Sequence, residues 1–347
     1  MEKILISGVN GFFGSHLTDF CLNQGKKVYG IDLPDHSLQN LTQYTNGQIK
    51  FSSEEKLKAF GTPIQIPTTN ENFVLLECDL NNAALIEKII QKIKPNFVFH
   101  FGAQPYVIPS WEDPVATIEA NVIGTINLFE AIKKQKIKTR VVVACTSAEY
   151  GTTTSINRPL KETDPLLAIH PYGISKIATE LLARQYYINF GIEVINLRFF
   201  NQTGPRKIGD APSDFIRKIA QIELDLSKPI IEVGNLIPYR DFTGIKDSLK
   251  AIWLSATKGT PGETYNVCSS KKIQIRQILN IALSFSSKKI EIKENVSQKL
   301  RKTDEDVILG NNSKIKKELG WDISIPIEET LKDMFNYWLN YYKKHNT

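Results

Sequence analysis

Residues 4–14 read Ile4-Leu5-Ile6-Ser7-Gly8-Val9-Asn10-Gly11-Phe12-Phe13-Gly14, an apolar run that breaks into three glycines spaced three apart. Glycine at these positions allows a tight turn, close approach of backbone to a pyrophosphate, and close packing of the helix that follows. The start of that helix offers unpaired N–H groups and the positive end of its dipole to phosphate. About twenty residues on, Lys27 to Asp32 forms a second apolar run that ends on a carboxylate. Asp32 is placed to accept both hydroxyls of an adenosine ribose and to repel a 2′-phosphate, which predicts NAD(H) as the cofactor. Gly8, Gly11, Phe12, Phe13, Gly14 and Asp32 are therefore expected to hold it.

Outward from this motif, short Ile/Val-rich runs alternate with longer amphipathic stretches. The runs are Phe73 to Cys78, Phe97 to Phe101, Arg140 to Thr146 and Val194 to Phe199. Helical patterns fall at Ser15 to Gln24, Asn82 to Ile93, Pro114 to Lys134 and Tyr172 to Phe190. This alternation predicts an α/β fold, a doubly wound Rossmann sheet of parallel strands buried on both faces. From Asn201 the segments become shorter and mixed, with a helix expected at Ser213 to Leu226, a strand at Ile230 to Val233 and a terminal helix from Ile327. Residues 1–200 are read as the dinucleotide-binding domain. Residues 201–347 are read as a smaller mixed α/β substrate-binding region, with some strand exchange between the two. The polar stretch from His36 to Asn72 reads only as an elaborated connection.

Ligands of such sheets lie outside the carboxyl ends of the strands. Asp79 and Leu80 follow the third apolar run and Gly102, Ala103 and Gln104 the fourth, so all five are expected near the cofactor. Thr146-Ser147-Ala148-Glu149-Tyr150-Gly151 follows the fifth long run and puts a hydroxyl at the same edge. Tyr172 and Lys176 in Tyr172-Gly173-Ile174-Ser175-Lys176 stand one helical turn apart. A nearby ammonium would lower the phenol's pKa toward working pH, making Tyr172 a general acid or base with Thr146 orienting the substrate oxygen.

Glycine motif, Thr146, Tyr172 and Lys176 in this order resemble the extended short-chain dehydrogenase/reductases that act on nucleotide sugars, the NAD-dependent epimerase/dehydratase family. The resemblance runs through Asn121-Val122-Ile123-Gly124-Thr125, Arg198-Phe199-Phe200-Asn201-Gln202-Thr203-Gly204-Pro205, Tyr239-Arg240-Asp241-Phe242 and Tyr265-Asn266-Val267. It implies that Asn121 belongs to the cofactor site and that Ser110, Trp111, Ser147, Asn201, Val233, Asn235, Arg240 and Arg301 meet a nucleotide-diphosphate sugar. Within the family the C-terminal half looks most like the GDP-mannose dehydratase and GDP-4-keto-6-deoxymannose reductase branch. Arg301-Lys302-Thr303-Asp304 departs from that branch, which leaves the base open. Dehydratases of the family resemble one another in a Glu two positions after the Thr. Here Ala148 stands there and Glu149 is offset by one, which disfavours dehydration. Two reactions remain: NADH-dependent reduction of a 4-keto-6-deoxy sugar, which is preferred, and 4-epimerisation with retained NAD.

Composition excludes other classes. A net charge of +6 over 347 residues, with lysines scattered, is a solvated surface suited to an anionic substrate rather than a nucleic-acid interface. Cys21, Cys78, Cys145 and Cys268 fit no metal spacing, so no metal is expected and a reducing, cytoplasmic setting is. No apolar run is expected to reach the roughly 20 residues that cross a bilayer. The long helices Pro114 to Lys134 and Tyr172 to Phe190 form a four-helix dimer interface in the family, so a homodimer is expected.

Overall fold

The computed structural model describes residues 1–33, 38–46, 64–151, 158–297 and 307–345. The chain divides into two compact units. The first comprises residues 1–151, 165–198 and 252–265; the second comprises 152–164, 199–251 and 266–347.

Strands β1 (Lys3–Ser7), β2 (Lys27–Asp32), β3 (Ile64–Ile66), β4 (Phe73–Glu77), β5 (Phe97–His100), β6 (Arg140–Thr146) and β7 (Glu193–Phe199) form one sheet together with Thr264–Val267. The order runs from Thr264–Val267 through β7, β6, β5, β1, β2 and β4 to β3. Pairing is parallel for β4 with β2, β2 with β1, β1 with β5 and β5 with β6. The order reverses around β1, which brings Ser7, opposite Ile31 of β2 and His100 of β5, to the switch point where ligands bind in such sheets. The six apolar runs read from the sequence are all strands. Within the polar connection, β3 pairs antiparallel with β4 and closes that edge; His36 lies outside the described residues.

Helices α1 (Phe12–Asn23), α2 (Ala83–Ile93), α3 (Val107–Glu112), α4 (Pro114–Ile118), α5 (Gly124–Gln135) and α6 (Pro171–Phe190) belong to the first unit. Between α4 and α5 the backbone makes a π-helical turn over Glu119–Ile123. One expectation is corrected here: the continuous helical stretch Pro114–Gln135 has a mean hydropathy of 1.3 over its most apolar window, long and apolar enough to cross a bilayer. Its Leu128, Phe129, Ala131 and Ile132 nevertheless pack with Ile86, Ile89, Ile90, Val141 and Val143 in the core, as a buried helix of an α/β protein does.

In the second unit, Ala211–Glu223, Ile275–Leu283 and Ile327–His345 supply Phe215, Ile219, Ile278, Leu279, Leu331, Met334 and Trp338 to a separate core. The expected strand near Ile230 is present over Ile230–Glu232 and pairs with Glu291–Lys293.

Phe129 is fully buried and stacks on Tyr186 of α6, ring centroids 4.9 Å apart. Phe129→Ala is expected to cost about 3–5 kcal/mol of stability, read as a lower urea midpoint of unfolding.

Candidate active site

The cofactor loop is built from backbone contacts that exclude side chains. Gly8 has φ +67°, and a Cβ there would lie 2.8 Å from the Gly102 nitrogen; a Cβ on Gly14 would lie 2.2 Å from the Gly8 carbonyl oxygen. Gly8 and Val9 N–H donate to the Ile31 carbonyl at 2.9 and 3.2 Å. Asp32, at the end of β2, accepts the Asn10 N–H at 2.7 Å and the Leu33 N–H at 2.9 Å, so its carboxylate also closes the glycine turn. Phe12 and Phe13 open α1 and touch rings with His16 and Phe101 respectively.

Asp79 caps its own turn by accepting the Asn81 N–H. Leu80 packs under the loop: a Cβ added to either Gly102 or Gly124 would meet its side chain at 2.9 Å. Ala103 is half-buried. The Gln104 N–H donates 2.7 Å to Asn121, whose Nδ2 donates to the Gln104 carbonyl and to Ser175 Oγ of α6. Asn121 thus ties the segment at Gln104 to α6, and its amide is engaged by protein groups. Asn121 sits in the π turn, and its carbonyl accepts the Thr125 and Thr179 hydroxyls.

Beneath the loop, His100 Nδ1 lies 2.9 Å from Ser7 Oγ and Nε2 lies 2.9 Å from Thr125 Oγ1. Ser7 Oγ accepts the Phe101 and Gly102 N–H groups and so donates to Nδ1; Nε2 therefore carries the proton and donates to Thr125. Burial and the Lys176 charge push the His100 pKa down to about 3.

Thr146 ends β6 and caps the turn Ser147–Tyr150. Its hydroxyl is hydrogen-bonded to the Tyr172 phenol. Lys176 is buried and donates 2.9 Å to the Ala144 carbonyl, holding α6 against β6; burial pushes its pKa down. The expected lowering of the phenol's pKa is not met in the free site. Loss of water pushes Tyr172 up to about 12, and the Thr146 hydrogen bond pulls it back down. Tyr172 is consequently a held proton, not a phenolate, at neutral pH.

Ser147 is half-exposed, Ser110 is buried and donates to the Val107 carbonyl, and Trp111 is 55% exposed beside it on α3. In the second unit, Asn201 Nδ2 donates to the Asp241 carbonyl, Val233 is buried, Asn235 accepts the Ile237 N–H, and Arg240 is buried with Nη1 on the Tyr239 carbonyl. Arg301 lies outside the described residues. Beside Arg240, Asp241 is buried and collects the N–H groups of Ser269, Ser270 and Gly310 and the Ser269 hydroxyl. Burial pushes its pKa up to about 6 against those donors.

Two further groups of α6 were not read from the sequence in the roles they take, a cap and a buried ion pair. His170 caps α6 by accepting the Gly173 N–H at 2.9 Å, and its ring stacks on Tyr172; a hydrogen-bonding side chain just before a Pro at the first helical position is the signal that marks it. Glu180, one turn beyond Lys176, forms a buried bidentate pair with Arg198. A lone acid on an otherwise buried helix face was the available sign.

The family described as GDP-mannose 4,6 dehydratase matches this chain over residues 5–334. A UDP-glucuronate 4-epimerase of Thermodesulfobacterium geofontis is 31% identical over 97% of this chain and 96% of its own length. A GDP-6-deoxy-D-mannose reductase of Pseudomonas aeruginosa is 28% identical over 70% of this chain and 80% of its own. Among solved structures, the UDP-glucuronic acid 4-epimerase of Bacillus cereus, in complex with UDP-glucuronic acid and NAD, is 26% identical with a TM-score of 0.78, covering 98% of this chain and all of that one.

His100 is neutral when folded down to about pH 3 but takes a proton near 6.5 when unfolded. Below about 6.5 the unfolded chain thus binds the extra proton and stability falls with pH. His100→Asn cannot take that proton, so its stability deficit relative to wild type should shrink by roughly 1–2 kcal/mol between pH 7 and pH 5 in urea unfolding.

Proposed function

The chain belongs to the GDP-mannose 4,6 dehydratase family of nucleotide-sugar enzymes, and from that premise we propose that it transfers hydride at C4 of a nucleotide-diphosphate sugar without expelling water. The preferred reaction is NAD(H)-dependent reduction of the C4 ketone of a 4-keto-6-deoxy sugar, GDP-linked. One observation carries this reading: Glu149, the acid that follows Thr146 most closely, is fully buried with its carboxyl on the Thr146 N–H and beside Arg198. Ala148 occupies the preceding position. No carboxylate of this turn is left to move protons at C5 and C6, whereas a ketone reduction needs only one proton.

Tyr172 supplies that proton. With its pKa pushed up to about 12, the phenol is protonated at neutral pH. A bound nicotinamide supplies the hydride. The Thr146 hydroxyl orients the carbonyl oxygen, Tyr172 gives its proton to the alkoxide that forms, and buried Lys176 keeps α6 seated so that the two hydroxyls stay in register. Asn201 and Arg240 of the second unit are assigned to the diphosphate, Arg240 for its permanent charge. The Pseudomonas relative named as a reductase supports this direction.

A second reading, 4-epimerisation with retained NAD, is favoured by Asp32 and by the relative named UDP-glucuronate 4-epimerase. The two separate in one experiment, in which the purified protein is given NADH and a GDP-4-keto-6-deoxy sugar, or plain UDP- and GDP-sugars without NADH. Stoichiometric NADH loss with a reduced product is expected; interconversion of C4 epimers without net NADH loss would replace the reductase by the epimerase. Tyr172→Phe should lower either activity by about 10²–10⁴-fold, and NADPH should be a poorer donor than NADH because Asp32 repels the 2′-phosphate.

The protein is also read as a cytoplasmic homodimer. Its four thiols are buried and unpaired. On α6, Ile174, Leu181 and Ile188 repeat every seven residues and are each more than half exposed, with Phe190 and Ile123 exposed as well. A heptad stripe open to solvent on a long helix calls for a matching helix. Leu181→Glu is expected to shift the protein from dimer to monomer in analytical ultracentrifugation, and a monomeric wild type would end this reading.

A further inference from the structure

Three ionisable groups lie buried together behind Thr146: Glu149 on the turn after β6, Glu180 on α6 and Arg198 on β7, each less than 6% exposed. Arg198 Nε and Nη2 donate to the two oxygens of Glu180 at 2.8 and 2.6 Å, and Nη1 donates to the Tyr150 hydroxyl at 2.9 Å. Glu180 is a carboxylate, because both its oxygens receive guanidinium donors, and Thr264 adds a third at 3.2 Å.

Glu149 is different. Its Oε1 accepts the Thr146 N–H at 2.9 Å, while its Oε2, wholly buried, has no hydrogen-bond donor and lies 3.5 Å from an Arg198 Nε already committed to Glu180. The carboxyl oxygens of Glu149 and Glu180 come within 4.8 Å of each other and of the Cys145 thiol. Arg198 spends its donors on Glu180 and Tyr150 and the nearby Lys176 ammonium donates to the Ala144 carbonyl, so an ionised Glu149 would keep a carboxylate oxygen out of water with no donor, which is costly. One proton removes the charge and turns the orphaned oxygen into a donor aimed at Glu180. Arg198 already supplies the positive charge that a metal ion would bring.

We propose that Glu149 is a neutral carboxylic acid in the working enzyme, that its O–H is donated to Glu180, and that it is the positioning residue which fixes the Thr146 hydroxyl. The groups facing it are Cys145, Thr146 and Tyr150 from its own strand and turn, Tyr172, Lys176 and Glu180 from α6, and Arg198 from β7. Burial and the neighbouring Glu180 charge push its pKa well above the carboxylate range, in agreement with the geometry. The consequence for the reaction is electrostatic as well as steric. An ionised Glu149 would raise the Tyr172 pKa further and hold back the proton; a neutral one leaves Thr146 held and Tyr172 free of that charge.

The kinetic part of this inference rests on Thr146 orienting the substrate oxygen, so the first test does not. The infrared difference spectrum of wild type minus Glu149→Gln at neutral pH should contain the carbonyl stretch of a protonated carboxylic acid; carboxylate bands alone would overturn the proposal, as would a stoichiometric metal ion lost in that variant. Against whichever nucleotide sugar is turned over, Glu149→Leu should lower kcat about tenfold with little change in KM, and Glu149→Gln, which keeps an acceptor for Thr146 and a donor for Glu180, should recover most of the loss. Equal rates in the Leu variant and wild type would overturn the positioning role even with the acid band present.

Discussion

One buried hydrogen-bond line joins the end of β1 to α6, and its direction is set at one end by backbone. The N–H groups of Phe101 and Gly102 fill the acceptor side of Ser7 Oγ, so its proton must point at His100. His100 then donates to Thr125, Thr125 to the Asn121 carbonyl, and the Asn121 amide reaches Gln104 and Ser175. Each member has one role, because each has one donor left to give. A charged imidazole would present two donors to a line that needs one of each kind. The neutral histidine is therefore a condition for the cofactor loop and α6 to keep one spacing, and the burial that lowers its pKa is part of the same arrangement.

Charge imposes the second constraint. Lys176, Arg198, Glu149 and Glu180 all lie out of water within the first unit. Lys176 donates to a carbonyl and Arg198 faces Glu180. Buried charges persist when paired and hydrogen-bonded, and otherwise neutralise. Tyr172 stands at the edge of this set and responds to it: with little water and no phenolate stabiliser beyond Thr146, it keeps its proton. The protein thus presents an acid, and a cationic ring bound nearby would favour the opposite state. In the proposed reaction the same residue would serve oxidation or reduction according to its protonation state.

The sheet was legible because strands buried on both faces must be continuous apolar runs, and Ile4, Val28, Val98, Val141 and Val194 mark them without needing tertiary context. Glycines 8 and 14 were legible for a steric reason, since a Cβ on either would lie against backbone, 2.8 Å from the Gly102 nitrogen and 2.2 Å from the Gly8 carbonyl oxygen. What stayed hidden was nonlocal. The resemblance marked Tyr265-Asn266-Val267 and some strand exchange was expected, but not that Thr264–Val267 lies beside β7, and β3 sits in a polar stretch where three residues carry too little pattern. The π turn at Asn121 adds a residue without disturbing the apolar period on either side. Lys176 was read as a charge beside a phenol, whereas its ammonium donates to the Ala144 carbonyl. Spacing says which face a side chain is on, not which partner it finds there.

Asp241 organises the strand and loops around it in the second unit through backbone donors. The carboxylate gathers three backbone N–H groups, from Ser269, Ser270 and Gly310, at 2.7–3.1 Å, and its own carbonyl accepts Asn201 Nδ2. Backbone donors are available from any residue but proline, so positions 269 and 270 can change their side chains with little loss, while Gly310 is held by the Phe200 ring and the Cys268 sulfur that a Cβ would strike. Asp241 has no such freedom: asparagine would place an N–H₂ against N–H donors and leave one of them unsatisfied. The fixed point of this unit is therefore one acidic side chain, and Asn201 and Arg240 take their positions from the strand that carries it.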